Sequence, residues 1–275
     1  MKTFKPDLSV IFMSFLFLVH VSNIYAQHYP NVQKGSIRMP VGIKIDGRLS
    51  EWNDVLQAYN HNVNALYIIA NNDACLYLAI QSKTPDIASK MIKGGITFTI
   101  NHTAKKDDPN AISVRFPVLL NTVQSSIAQS IKAKPALEED PKAGDSVVVS
   151  LNEQLSKNSK FIKITGVKTI QDSILSIYNN EGIKVSGRFD DKGNLTYEIV
   201  LPLNLLGMAV NNPTNFSYNI KLNGFSLFMG PVKIWQTPDG PVRVGTVAGS
   251  IRPTRETINE SMATDFWGEY TLMKM

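Results

Sequence analysis

Ile43-Lys44-Ile45-Asp46-Gly47-Arg48-Leu49-Ser50-Glu51-Trp52 is the stretch from which the rest of this chain is most readily interpreted. Gly42 to Ile45 alternates apolar and polar residues and predicts a short strand. Asp46-Gly47 ends it, because both residue types tolerate the positive φ at which a strand reverses. Trp52 then opens a new segment. The stretch carries no nucleophile–base pair and no metal-ligand spacing, so it is read as architecture.

Working outward, the same grammar repeats. Asn64 to Ala70 and Cys75 to Gln81 are apolar runs separated by Asn71-Asn72-Asp73, a hairpin signal. Ile96 to Ile100 alternates with period two, and Ile112 to Phe116 gives a further strand. Lys160 to Val167, Ile174 to Tyr178, Ile183 to Phe189 and Leu195 to Pro202 follow, punctuated by Asn179-Asn180-Glu181-Gly182 and by Asp190 to Asn194. Pro202 ends its strand because it has no N–H to give a ladder. Leu203 to Met208 predicts a single helical turn. Asn215 to Phe228 holds a strand or two, a Gly/Pro-rich tract runs from Gly230 to Gly249, and Phe266 to Leu272 closes the chain as a strand. Many short strands at turn-punctuated intervals predict an all-β fold, a sandwich or barrel of antiparallel strands. One region differs. Val123, Ile127 and Ile131 recur at helical spacing within Asn121 to Lys132, Lys134 to Asp145 reads as an exposed loop, and Ser146 to Lys157 suits helix or strand. Residues 121–157 are therefore expected to be a partly helical insertion in a single β-domain spanning 27–275.

Met1 to Gln27 has the layout of a signal peptide: Lys2 and Lys5, an apolar run from Val10 to Val19, and small or polar residues up to Ala26. Cleavage after Ala26 would place the protein in a bacterial periplasm or outside the cell, with no transmembrane segment remaining. The 275 residues contain one cysteine, Cys75, so no internal disulfide can form, and its apolar neighbours predict a buried strand position. The net charge of +5 is scattered, with no basic run longer than Lys105-Lys106. That pattern excludes the clustered basic surface of a nucleic-acid-binding protein.

Catalytic signatures are sparse. Glu51 and Glu198 are the carboxylates a glycosidase reading would use as an acid/base pair. His28, His61 and His102 are dispersed over loops, and no nucleophile elbow, zinc-protease or phosphate-loop motif occurs. No cofactor is expected; calcium is the candidate metal, at Asn71-Asn72-Asp73 or Asp190-Asp191, since calcium takes Asp, Asn and carbonyl oxygens from loops. Aromatic rings are the usual surface on which sugar faces stack. Trp52 and Trp267 are expected in core or inter-sheet positions. Trp235, in the Gly/Pro-rich tract, is the candidate platform, with Gln236 and Arg243 as hydrogen-bonding neighbours.

Ile45 to Trp52, the Ala65-Leu66-Tyr67 to Leu76-Tyr77-Leu78-Ala79 hairpin and Tyr197-Glu198-Ile199-Val200-Leu201-Pro202-Leu203 together resemble, in order and separation, family 9 carbohydrate-binding modules and the wider DOMON-like group. The resemblance spans nearly all of the chain after Ala26. It implies an Ig-like or jelly-roll-like β-sandwich that binds sugar between aromatic side chains, sometimes with calcium, and has no catalytic activity of its own. The expected function is thus an exported, non-catalytic protein whose partner is a carbohydrate or glycan. A structural or interaction domain of the bacterial cell envelope is the second reading, and a glycoside hydrolase the third.

Overall fold

The computed structural model describes residues 29–103, 106, 108–133, 141–212, 215–225, 232–236, 242–246 and 255–274, with the backbone alone at 141–143, 232–236, 242–246 and 256. The expected signal peptide, His28 and most of the Gly/Pro-rich tract lie outside the described residues. Among the described residues thirteen strands are arranged chiefly in two antiparallel sheets, of five and six strands. The five-stranded sheet runs β1 (Ala58–Asn60), β2 (Ala65–Asn71), β3 (Cys75–Ser82), β9 (Leu195–Pro202), β8 (Lys184–Phe189). The six-stranded sheet runs β13 (Thr264–Thr271), β10 (Asn215–Leu222), β4 (Ile96–Asn101), β5 (Ile112–Phe116), β6 (Phe161–Thr165), β7 (Ile174–Ser176). β11 (Val232–Gln236) and β12 (Val242–Thr246) form a separate pair.

The inner faces of the two sheets share one hydrophobic core, as in a β-sandwich. Tyr67 and Ile69 of β2 and Leu76, Leu78 and Ile80 of β3 meet Phe98, Tyr218, Ile220 and Phe266 from the opposite sheet. Aromatic rings cross the gap: Tyr67 lies 5.0 Å from Phe266 and Phe116 lies 5.3 Å from Tyr197, centroid to centroid. The Tyr67 and Tyr218 hydroxyls, both buried, satisfy one another at 3.0 Å.

The five-stranded sheet is covered on its second face as well. Ile68, Ala70, Tyr77, Ala79 and Val200 point away from the main core and are buried by Leu49 and Leu56, with Ile43, Ile45 and Trp52 packed beside them. Here the expected strand at Gly42 to Ile45 is not formed. A segment lying across a sheet face has no free edge to pair with, and its isoleucines act as apolar plugs instead. This double cover is why β2, β3 and β9 read as nearly continuous apolar runs.

Helices fill the ends. α1 (Pro85–Gly94), absent from the sequence reading, connects the sheets between β3 and β4 and buries Ala88, Met91 and Ile92. Thr84 caps it, its hydroxyl accepting from the Ile87 N–H, with Pro85 in the first turn. Thr84→Ala is expected to lower stability by about 1 kcal/mol, measurable as a shifted urea midpoint at unchanged slope. α2 (Asn121–Ala133) and α3 (Pro141–Asn158) separate β5 from β6. α3 settles the ambiguity at Ser146 to Lys157 in favour of helix, and it begins within the stretch read as loop. Ile127, Ile131, Leu151 and Leu155 join the main core. A short α4 (Arg255–Ser261) precedes β13. Pro202 is the last residue of β9, and Leu206 N–H returns to its carbonyl at 3.3 Å, closing the single helical turn expected there.

Candidate functional site

The Asp46-Gly47 turn meets β9 at a buried carboxyl. Gly47 has φ +82°, and its N–H donates to Glu198 Oε2 at 2.6 Å. Tyr77 Oη donates to Glu198 Oε1 at 2.7 Å, and Trp52 Nε1 donates to Tyr77 Oη at 3.1 Å. Glu198 is 0% exposed. Burial pushes its carboxyl up to about 7, helped by the nearby charge of Asp46 and opposed by the hydrogen bonds from Tyr77 and Gly47. Burial, and then the Glu198 charge, push the Tyr77 phenol far above its ordinary value. The chain therefore joins its opening motif to the Tyr197-Glu198-Ile199 strand through one polar network. Both Glu198 oxygens are already occupied by protein donors.

Glu51 is differently placed. Burial, the largest single influence, pushes its carboxyl up, but its own backbone N–H, the Ser50 hydroxyl, the Lys44 N–H and the Lys44 charge together outweigh it and hold the carboxyl below the ordinary value. A polar cleft of ≈ 480 Å³ opens beside the turn, lined by Arg48, Asp54, Gln81, Arg188, Asn194 and Thr196 among others. Gln81 donates to Thr196 Oγ1 at 3.0 Å across its wall.

The candidate calcium loops are occupied by turn chemistry. Asp190 accepts from the Asn194 N–H at 2.8 Å and from Asn194 Nδ2 at 2.9 Å. Asn72 Oδ1 caps the Ala74 and Cys75 N–H groups, and Asp73 pairs with Arg38 at 2.7 Å. Among the described residues no cluster of three or more His, Cys, Asp or Glu side chains is arranged to hold a metal. His102 Nε2 sits 2.6 Å from the Leu206 carbonyl, and His61 packs edge-on to Tyr59. Cys75, expected to be buried, is half-buried at the first position of β3, where burial raises its thiol.

The outward face of the six-stranded sheet is the other polar surface. Trp267 departs from its expected core position. Phe266 and Tyr270 take the inward positions of β13, so the indole between them faces out and remains partly exposed. Straight across the strands, Trp267 is opposite Asn219, Asn219 opposite Thr99, Thr99 opposite Ser113 and Ser113 opposite Thr165. Asn219 Nδ2 is held by Asp265 Oδ2 at 2.7 Å and by the Phe266 carbonyl, and the Thr99 and Ser113 hydroxyls lie 2.8 Å apart. The pattern is an indole at one edge of a row of amide and hydroxyl groups. Sequence reasoning missed it because the row joins residues from five strands. The only local sign is the alternation of Asp265, Trp267 and Glu269 with Phe266 and Tyr270.

Trp235, Gln236 and Arg243 fall on β11 and β12, where Trp235 stands directly opposite Arg243 and Gln236 opposite Val242. The backbone thus brings the expected pair into register; their side chains lie outside the described part. Trp52, expected in a core or inter-sheet position, is only half-buried, packed against the outer cluster of the five-stranded sheet with its ring 5.5 Å from Tyr77. Among the described residues no helix is long and apolar enough to cross a membrane. No protein-family model matches the chain, and neither does any curated protein or solved structure.

Proposed function

We propose that this chain is an exported, non-catalytic carbohydrate-binding protein, built on an Ig-like or jelly-roll-like sandwich of the kind its likeness to family 9 carbohydrate-binding modules implies. The observation that carries the reading is the partly exposed Trp267 at the edge of the Asn219–Thr99–Ser113–Thr165 row. A pyranose offers an apolar face to an indole and a rim of hydroxyls to amides and hydroxyls, and this surface has both partners side by side. Trp235, with Gln236 and Arg243, is the second platform of the proposal. Glu198 supports a non-catalytic reading, since a fully buried carboxyl with both oxygens taken is built to hold a turn.

A glycan array followed by titration calorimetry tests the reading. Trp267→Ala is expected to weaken the best oligosaccharide by about tenfold, the loss of one aromatic stack. Absence of binding to any glycan, or affinity untouched by both Trp267→Ala and Trp235→Ala, defeats it. A specific observation also favours an interaction domain of the cell envelope. Phe161, Ile174 and Tyr178 stand 49%, 44% and 77% exposed along the β6–β7 edge. Under that reading the same array stays silent.

A further inference from the structure

The outer face of the six-stranded sheet carries three cations that the fold itself does not use. Reading across the strands two register pairs from Trp267, on the same face, Asp265 is opposite Lys221, Lys221 opposite Thr97, Thr97 opposite Arg115 and Arg115 opposite Lys163. With strands 4.7–4.9 Å apart, Lys221 to Lys163 spans about 14 Å. Arg115 and Lys163 are direct cross-strand neighbours, an arrangement of like charges that disfavours the folded state. Asp265, the acid at the end of the row, is engaged with Asn219 instead.

Among the described residues, none of the three cations has an ion-pair partner within 4.0 Å or a side-chain hydrogen bond. Arg115 Nε is buried and has no hydrogen-bond partner among the described residues, and burial lowers the proton affinity of its guanidinium. Leaving a desolvated guanidinium N–H unpaired is unfavourable, whereas a hydrophobic side chain at the same position would carry no such penalty. The planar fork of an arginine fits a carboxylate through two parallel hydrogen bonds, and a flanking lysine adds a mobile point charge. The sheet face therefore stores an unmet demand for an anion beside a row of sugar-compatible groups.

We propose that the ligand of this face is an acidic glycan, a uronate-bearing oligosaccharide whose carboxylate is taken by Arg115 with Lys163 and Lys221 on either side, while Trp267 stacks on a neighbouring ring. The inference rests on the carbohydrate reading above and adds the chemical class. Asp265 and Glu269 place negative charge along the β13 edge, so the carboxylate-bearing units lie toward β5 and β6 and the less charged end toward Trp267.

The test is calorimetric titration of the full chain with oligogalacturonate, oligomannuronate and oligoglucuronate, each compared with its methyl ester, and with inorganic sulfate. At least one acidic oligomer is expected to bind ten or more times tighter than its ester. Arg115→Gln removes that preference and leaves the ester affinity in place, and Lys163→Gln, at an exposed position, reduces it several-fold. Arg115→Gln should melt close to the parent, because the guanidinium makes no hydrogen bond or ion pair with the described residues and glutamine keeps part of the stem, so a lost preference in a variant that melts normally is not a folding defect. Equal binding of acid and ester, or a preference that survives Arg115→Gln, overturns the acidic inference and leaves carbohydrate binding standing. Failure of every sugar overturns both; sulfate bound through Arg115 in that case assigns the face to a small inorganic anion.

Discussion

Replacing Gly47 with valine should destabilise the folded chain by about 3–5 kcal/mol, and with alanine by about 2–3 kcal/mol. Two independent effects converge on this residue. Its φ of +82° lies in the left-handed region, where a β-carbon meets its own backbone. A β-carbon here would also stand 2.5 Å from Arg188 Cβ and 2.7 Å from Arg188 N, part of the β8 strand and unable to give way as a flexible tip could. The turn cannot simply shift outward to relieve the clash. Its N–H is bound to Glu198 Oε2, and withdrawal would leave a buried carboxyl one donor short, adding its own penalty. Urea unfolding of both variants at pH 5 and at pH 8 measures the effect. A loss below about 1 kcal/mol in the valine variant would show that the turn is not held against β8 as described.

The same residue shows where local sequence suffices and where it fails. Asp-Gly after an alternating stretch announces the turn, and the turn is there, because positive φ is a property of the residue itself. Ile43 and Ile45 announce a strand with equal clarity and form none, because pairing needs a partner edge and the segment lies across a face. The hairpin from Ala65 to Ser82 was legible since both strands and their turn are contiguous in sequence. α1 was missed although Thr84-Pro85-Asp86 is a capping signal; its apolar residues Ala88, Met91 and Ile92 do stand at the i, i+3, i+4 spacing of a helix, but over little more than one turn between two flanking strands. Glu198 in Tyr197-Glu198-Ile199 looks like any polar residue on a half-buried strand. Its burial follows from the cover supplied by residues some 150 positions earlier. The Arg115 and Trp267 rows are invisible for the same reason: each is assembled only when β10, β4, β5 and β6 lie side by side, and no window of sequence contains them.

Glu198 also makes stability depend on pH in a definite direction. In the unfolded chain its carboxyl titrates at an ordinary value, 4.5, whereas in the fold burial pushes it up to about 7. Between those values the folded state binds the proton and the unfolded state does not, so stability falls as pH rises. The contribution is complete below about 4.5 and is lost by the time pH has passed 7, on the order of 3 kcal/mol in all. Glu198→Gln removes the titration. The amide oxygen can still accept from Gly47 and the amide nitrogen can donate to Tyr77 Oη, at the price of leaving the Tyr77 hydroxyl proton without an acceptor. The variant should therefore be the less stable protein at pH 4.5 and gain on the parent steadily toward pH 8. Other carboxyls bend both curves alike, so the difference between parent and variant isolates Glu198. If that difference is flat across the range, the carboxyl is ionised throughout, and a polar network strong enough to offset its burial must replace the present account. A slope in the opposite sense would place a cation beside it, and none of the described residues supplies one.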